Sequence, residues 1–416
     1  MDYMKPVSAI DTNASPSGPP DAHPARRIAR IPGTIGYYAA FVALGLASAS
    51  LGPTLPGLAL HTQSRLAQIS SLFAARSLGY LVGSLLGGRL FDRIPGHPVM
   101  AGGIFLMAGM MALAPLASSL WVLTAAILIL GLAEGALDVG GNTLLVWVHR
   151  EKVGPFMNGL HFFFGVGAFL SPLIIAQAMV GGGDIRRAYW TLAVLLLPGA
   201  FWLLRLPSPA APAASPGEPA GQANGRLVVL IVAFLFLYAG AEVSFGGWIY
   251  SYAVALRLSS DVVAAYLTSA FWGALTAGRL LAIPLAIRFP ARYLLLADFL
   301  GCMASLGALL LWPHSLIVVW LGTCGLGLSM ASIFPTTLSL AQGRMPISGA
   351  VTGWFFVGAS AGGMTLPWLI GQLFESIGPR VTMAILFLDL LAAAGLLAVL
   401  AFQFARPVYQ RTLGER

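Results

Sequence analysis

Apolar residues run through this chain in long blocks, parted by short polar turns. A helix needs roughly 20 mostly apolar residues to cross a bilayer. Splitting the blocks at charges and Gly/Pro turns places spans near 34–60, 66–91, 97–116, 120–148, 153–180, 186–205, 226–256, 261–289, 292–312, 315–341, 346–374 and 378–403. The pattern predicts an all-α membrane protein with twelve transmembrane helices. One segment, 206–225, reads LPSPAAPAASPGEPAGQANG and has no helical period. It is expected to be a flexible cytoplasmic linker. Six spans precede it and six follow. The expected organisation is a disordered cytoplasmic tail over 1–32, a six-helix bundle over 33–205, the linker 206–225, a second bundle over 226–404 and a cytoplasmic tail over 405–416. No signal-peptide core precedes the first apolar block.

The two halves look like copies. The segment Gly131 to Leu144 aligns with Gly325 to Leu338 at an offset of 194, while Gly45 and Gly52 align with Gly240 and Gly247 at 195. Gly167 and Pro172 match Gly362 and Pro367 by the same 195. Three matches in register, either side of one linker, predict two parallel repeats. In such folds the substrate site lies between the repeats near mid-membrane.

Composition supports lipid as the solvent. Of 416 residues, 58% are hydrophobic and 9% are charged, and the mean hydropathy is +0.83. A soluble domain is about 25% charged. The net charge of +8 is scattered singly between apolar blocks, which argues against a nucleic-acid surface. With both termini inside, sixteen Lys and Arg fall on the cytoplasmic side and five (Arg65, Arg186, Arg187, Arg257, Arg380) on the outer side. Arg76 and Arg279 complete the 23 from within the membrane. That asymmetry predicts cytoplasmic termini in a cell inner membrane. Cys302 and Cys324 are expected to be small buried hydrophobes. No metal spacing, nucleophile–base set or phosphate-binding loop occurs, so the chain is expected to move a solute rather than transform it, without a cofactor. A small-molecule substrate, the lipid bilayer and a monomeric state are expected.

Ionisable groups inside a bilayer cost about 2.5–3.5 kcal/mol at mid-helix on insertion scales, so each needs a reason. Glu134, Asp138 and Asn142 follow at i, i+4 and i+8 and share one broad helix face. Glu134 is the first choice for a coupling carboxylate, Asp138 the second, and Asn142 suits sugar hydroxyls. Arg76 is a candidate partner for either acid, which would hold that acid ionised. His161, followed by three phenylalanines, suits proton coupling. Glu242 precedes Phe245-Gly246-Gly247-Trp248, where two glycines would let the seventh span break. Trp248 is a candidate for stacking on a sugar. Trp272, Thr276 and Arg279 share a face of the eighth span, with Asp298 or Asp389 as the expected partner of Arg279. Gln177, Gln342 and Gln372 could line the path and Trp354 and Phe355 are candidates for sugar stacking, but helix packing is the favoured reading for each.

Gly83 and Gly87, one turn apart, predict a close helix approach in the second span. The same span ends in Gly88, Arg89, Asp92, Arg93 and Gly96. This stretch resembles the loop motif G-x-x-x-D-R-x-G-R-[RK] of the major facilitator superfamily, although Pro95 and His97 depart from it. The copy near Pro284 to Phe289 keeps Arg288 but no Asp. The resemblance implies gating roles for Gly88, Asp92 and Arg93. Three further segments, GLAEGALDVGGNTLLVW (131–147), NGLHFFFGVGAFLSPLI (158–174) and YAGAEVSFGGWIYSYA (238–253), resemble the branch of L-fucose permeases and sodium-dependent glucose transporters. That branch implies uptake of a hexose by alternating access, coupled to H⁺ or Na⁺, with Glu134 at the family's fourth-span acid. This chain has no acid between Tyr37 and Leu60 in the first span. The rival expectation is a proton-driven exporter of drugs or metabolites, from the Gly/Pro-rich fifth span with Gly159, Gly165, Gly167 and Pro172.

Overall fold

The computed structural model describes residues 24–180, 184–210, 224–342, 344–345 and 349–405. Most of the linker (211–223) and both outermost tails fall outside these residues. Among the described residues the chain is helical, with no strand. Ten stretches are long and apolar enough to cross a membrane. One of these, Leu120–Met179, contains two helices, and Gly349–Ile377 adds a further long helix. The twelve expected spans are therefore all present.

Two spans are interrupted for two residues each, and the second span for one, Ser70, between Leu66–Ile69 and Ser71–Phe91. The first consists of Pro24–Ser48 and Leu51–His61, and the tenth of Leu316–Met330 and Ile333–Gln342. The first helix thus begins at Pro24, inside the segment expected to be disordered. Both breaks lie three and four residues before a proline, Pro53 and Pro335. Proline has no N–H to offer the carbonyl four residues back. Yet Pro172, Pro198, Pro284 and Pro367 sit in unbroken helices. At each break a side chain from another span bonds an adjacent carbonyl, Arg76 on Ser48 and Tyr238 on Met330.

Small residues set the packing within each half. A Cβ on Gly83 would lie 2.0 Å from the Leu132 carbonyl oxygen, and one on Gly87 would lie 3.0 Å from Ala136 Cα. The second and fourth spans therefore run in near backbone contact, as expected from the glycine spacing. Gly45 in the first span and Gly167 in the fifth face each other, and so do Gly240 and Gly362 in the seventh and eleventh. Residues related by 195 positions do the same work in both halves.

The halves meet at the end away from the termini. There the second span packs on the eleventh, the fifth on the eighth, and Leu51–His61 on the seventh. The interlock reaches inward as far as Gly165 against Thr276 and Gly363 against Ser77. At the opposite end, His97 takes the place of a basic residue of the loop motif. Its ring bonds Tyr37 Oη at 2.8 Å and the Leu206 carbonyl at 3.1 Å, and its backbone N–H donates to Ser208 Oγ at 2.9 Å. The linker therefore starts anchored to His97 at the start of the third span, which in turn bonds Tyr37 of the first.

Candidate functional site

The polar groups of the first half stand on the second and fourth spans, which the glycines bring together. Arg76 Nε and Nη2 each donate to Glu134 at 2.8 Å, one to each carboxylate oxygen, while Nη1 donates to the Ser48 carbonyl at 2.7 Å. The Glu134 side chain is 1% exposed. The guanidinium thus neutralises the acid and fills the gap left by the broken first span. Of the two acids offered to Arg76, Glu134 takes it.

Asp138, one turn on, has hydroxyl and amide partners instead. Tyr80 Oη donates to Oδ2 at 2.6 Å and Asn142 Nδ2 to Oδ1 at 3.1 Å. Among the described residues no cationic side chain pairs with it. Asp138 and Asn142 are both half-buried. Phe41 packs against Gly141 and stands edge-on to His161, with centroids 5.9 Å apart, which joins this face to the fifth span. His161 keeps exposed surface in mid-bundle and lies within electrostatic range of Arg279 in the other half. Its exposed edge therefore faces a cleft between the halves.

Across that cleft, Tyr238 donates to Glu242 and lies 3.1 Å from the Met330 carbonyl. Arg279 Nη2 stands 4.0 Å from Glu242 Oε1, and the two side chains are 26% and 16% exposed. The partner of Arg279 is thus Glu242 rather than Asp298 or Asp389. The reason is register: Arg279 and Glu242 lie on facing turns of the eighth and seventh spans. Asp298 instead accepts from Ser332, and Asp389 Oδ2 has no hydrogen-bond partner among the described residues.

Trp248 is not at the cleft. It is fully buried, donates from Nε1 to the Pro367 carbonyl at 3.0 Å, and stacks on Phe374 with centroids 4.9 Å apart. The seventh span also does not break at Gly246 and Gly247, since Gly225–Ala255 is one helix. These glycines instead let neighbours come close: Gly246 faces Trp272, Gly247 faces Phe73, and both face Gly52. Trp272 lies buried edge-on to Phe164, its indole N–H without an acceptor among the described residues. Of the predicted residues, Asp138 and Asn142 share one half, Glu242 and Arg279 pair in the other, and His161 lies within electrostatic range of Arg279 between them, while Trp272 is buried against Phe164 and Gly246.

The turn at Asp92 and Arg93 lies at the terminal end, and neither residue is in an ion pair among the described residues. Gly88 has no neighbour within 4 Å of a built Cβ. At the closed end Gln372, expected to pack, joins Glu375, which the sequence did not single out, in a latch. Glu375 Oε1 accepts from Leu66 N at 3.0 Å, and Gln372 Nε2 donates to the Ala67 carbonyl at 2.7 Å and Ser70 Oγ at 3.3 Å. Gln177 Nε2 donates to Tyr266 Oη at 2.7 Å across the other seam. Two of these four partners are backbone atoms, which leave no side-chain signature.

The family model described as Major Facilitator Superfamily matches residues 37–367. The chain is 32% identical to "Sodium-dependent glucose transporter 1" of Xenopus laevis, covering 79% of this chain and 73% of that protein. It is 29% identical to the Homo sapiens protein of the same name, over 84% and 77%. It is 28% identical to "Major facilitator superfamily domain-containing protein 4A" of Danio rerio, over 83% of each. A crystal structure of a point mutant of the nucleoside transporter NupG superposes with a TM-score of 0.69 at 14% identity, over 90% of this chain and 98% of that one. The broken helices, paired glycines and polar cleft thus belong to a multi-pass membrane transporter, and the chain is a member of the major facilitator superfamily.

Proposed function

We propose that the protein carries a neutral hexose across a cell inner membrane together with a cation, by alternating closure of the two ends of the cleft. The observation that carries this reading is Asp138, held by Tyr80 and Asn142 beside a cleft that also presents His161 and the Glu242–Arg279 pair. Carboxylate, amide and guanidinium groups at one place can accept and donate to several hydroxyls at once. Glu134 and Glu242 face arginines, whereas Asp138 has only hydroxyl and amide partners among the described residues. A cation that accompanies a neutral solute would neutralise that carboxylate. The sodium-dependent glucose transporters among the relatives support the hexose and favour Na⁺ over H⁺.

With the termini on the cytoplasmic side, as the distribution of basic residues favours, the cleft opens inward. The Glu375 and Gln372 latch then closes the outer end. Asp92 and Arg93 would engage when the inner end closes. In proteoliposomes, a Na⁺ gradient is expected to drive accumulation of at least one neutral hexose, and replacement of Na⁺ by choline to abolish it. Absence of both accumulation and counterflow for every hexose in a panel overturns the reading. Proton-driven extrusion of amphiphiles in the same vesicles would replace it with the exporter.

A further inference from the structure

We infer that the Tyr238 hydroxyl is a two-position switch that reports occupation of the cleft to the tenth span. This rests on the carrier reading proposed above and adds a positioning residue to it. Tyr238 stands in the seventh span one turn before Glu242 and is buried. Its hydroxyl lies within reach of two acceptors, the Glu242 carboxylate and the Met330 carbonyl, the latter at 3.1 Å. A tyrosine hydroxyl carries one proton, so it serves one acceptor fully at a time. Met330 closes the helix Leu316–Met330, and the last carbonyls of a helix have no partner within it. The Tyr238 ring also lies beside Phe334 of Ile333–Gln342, with centroids 6.4 Å apart. One side chain thus touches the cleft acid and both sides of the tenth-span interruption.

With the cleft empty, Glu242 is the stronger acceptor, because a hydrogen bond to an ionised group is about twice as strong as a neutral one. The other carboxylate oxygen, Oε1, is held loosely: Arg279 Nη2 stands 4.0 Å away, and both side chains keep exposed surface. A solute hydroxyl that donates to Glu242, or an Arg279 drawn closer to it, weakens the carboxylate as an acceptor for Tyr238. The hydroxyl proton then turns to the Met330 carbonyl and ties the seventh span to the tenth. The first half has the same parts without the choice. Arg76 also bridges a membrane acid, Glu134, and a carbonyl at a span interruption, Ser48. A guanidinium has five N–H donors and serves both at once. Glu134 is also 1% exposed, beyond the reach of a solute. The first-span joint is therefore fixed and the tenth-span joint conditional, so the second half changes shape internally when the cleft fills.

The test places spin labels at Arg226 and Gln342, both exposed and both in the second half, with Cys302 and Cys324 replaced by serine. Rocking of the halves as rigid bodies leaves this distance unchanged. Purified full-length protein at saturating Na⁺ is measured empty and with D-glucose, D-galactose, D-mannose or L-fucose, and hexose binding is measured on the same samples. In the wild type a bound hexose is expected to shift the distance distribution. Tyr238→Phe keeps the ring and is expected to bind hexose within about tenfold of the wild type, the worth of one ordinary hydrogen bond, yet to show no shift. Glu242→Gln removes the charge that draws the proton, and its empty form is expected to show the distance of the hexose-bound wild type. Hexose binding without a shift in the wild type overturns the switch, and so does a full shift in Tyr238→Phe. If that variant does not fold, an empty Glu242→Gln with the empty wild-type distance overturns it instead. Failure of every hexose to bind the wild type overturns the carrier reading, and the link from Glu242 to the tenth span is then decided by the empty Glu242→Gln protein, whose distance must differ from that of the empty wild type.

Discussion

Arg76 grips Glu134 at two points, both 2.8 Å, and spends its remaining amino group on the Ser48 carbonyl at the first-span break. One guanidinium therefore joins three spans. Breaking a buried pair by removing one partner costs about 3–5 kcal/mol, because the other charge is left uncompensated. Arg76→Ala is expected to lower the thermal midpoint sharply and reduce yield. Glu134→Gln, which leaves the arginine some hydrogen bonding, is expected to lose less. The double change Arg76→Met with Glu134→Met should recover much of the stability lost by the single variants. Thermal unfolding of the four proteins in one detergent checks the order.

Asp138 stands in a different relation to its neighbours, and its removal should separate binding from stability. Hydrogen bonds to a charged group are worth about 1.5–3 kcal/mol, so Asp138→Asn is expected to weaken hexose binding on the order of tenfold to a hundredfold. Tyr80→Phe removes a donor to the same carboxylate and should weaken binding by less. Both variants should keep a near wild-type thermal midpoint. Equilibrium binding of hexose by purified protein at fixed Na⁺ distinguishes this from a structural role, in which midpoint and affinity would fall together.

Much of this arrangement is legible in the amino-acid sequence, and what is not has identifiable causes. Span positions follow from apolar length, and the repeat follows from Gly45, Gly167, Gly240 and Gly362, since close backbone approach tolerates no other side chain there. Partner choice is less accessible. The sequence offers Arg279 two acids, Asp298 and Asp389, and the facing turns of the seventh and eighth spans select a third, Glu242. Trp248 shares its composition with a sugar-stacking residue, and burial between Phe73 and Phe374 is a tertiary fact. The helix breaks are hardest to foresee. Pro53 and Pro335 lie just beyond breaks while Pro172 and Pro367 do not, so a proline alone does not mark the place.

The latch at the closed end makes a kinetic prediction. Glu375 and Gln372 tie the eleventh span to Leu66, Ala67 and Ser70 of the other half. Each hydrogen bond contributes about 0.5–1.5 kcal/mol net. The pair of substitutions Glu375→Ala and Gln372→Ala should therefore shift the balance toward opening of this end by on the order of tenfold or more. Spin labels at Gln63 and Ser260, with Cys302 and Cys324 replaced by serine, report the distance between the halves. The expected result is a new, longer population in the latch variant; an unchanged distribution would assign the closed end to the apolar interlock alone.

Gly83 and Gly88 lie on the same helix and offer opposite expectations. A Cβ on Gly83 would sit 2.0 Å from the Leu132 carbonyl oxygen, whereas one on Gly88 would meet nothing within 4 Å. Gly83→Ala must push the second and fourth spans apart, along the seam that holds Arg76 to Glu134 and Tyr80 to Asp138. It is expected to lower both thermal midpoint and hexose affinity. Gly88→Ala meets no clash and gains helix propensity of about 1 kcal/mol, so its midpoint should hold or rise. If its transport rate nevertheless falls, the cost arises in the conformer whose terminal end is closed, where the turn of Asp92 and Arg93 packs against its partners. Thermal midpoint and counterflow rate measured on the same two variants therefore distinguish a glycine needed for the fold from a glycine needed for the gate.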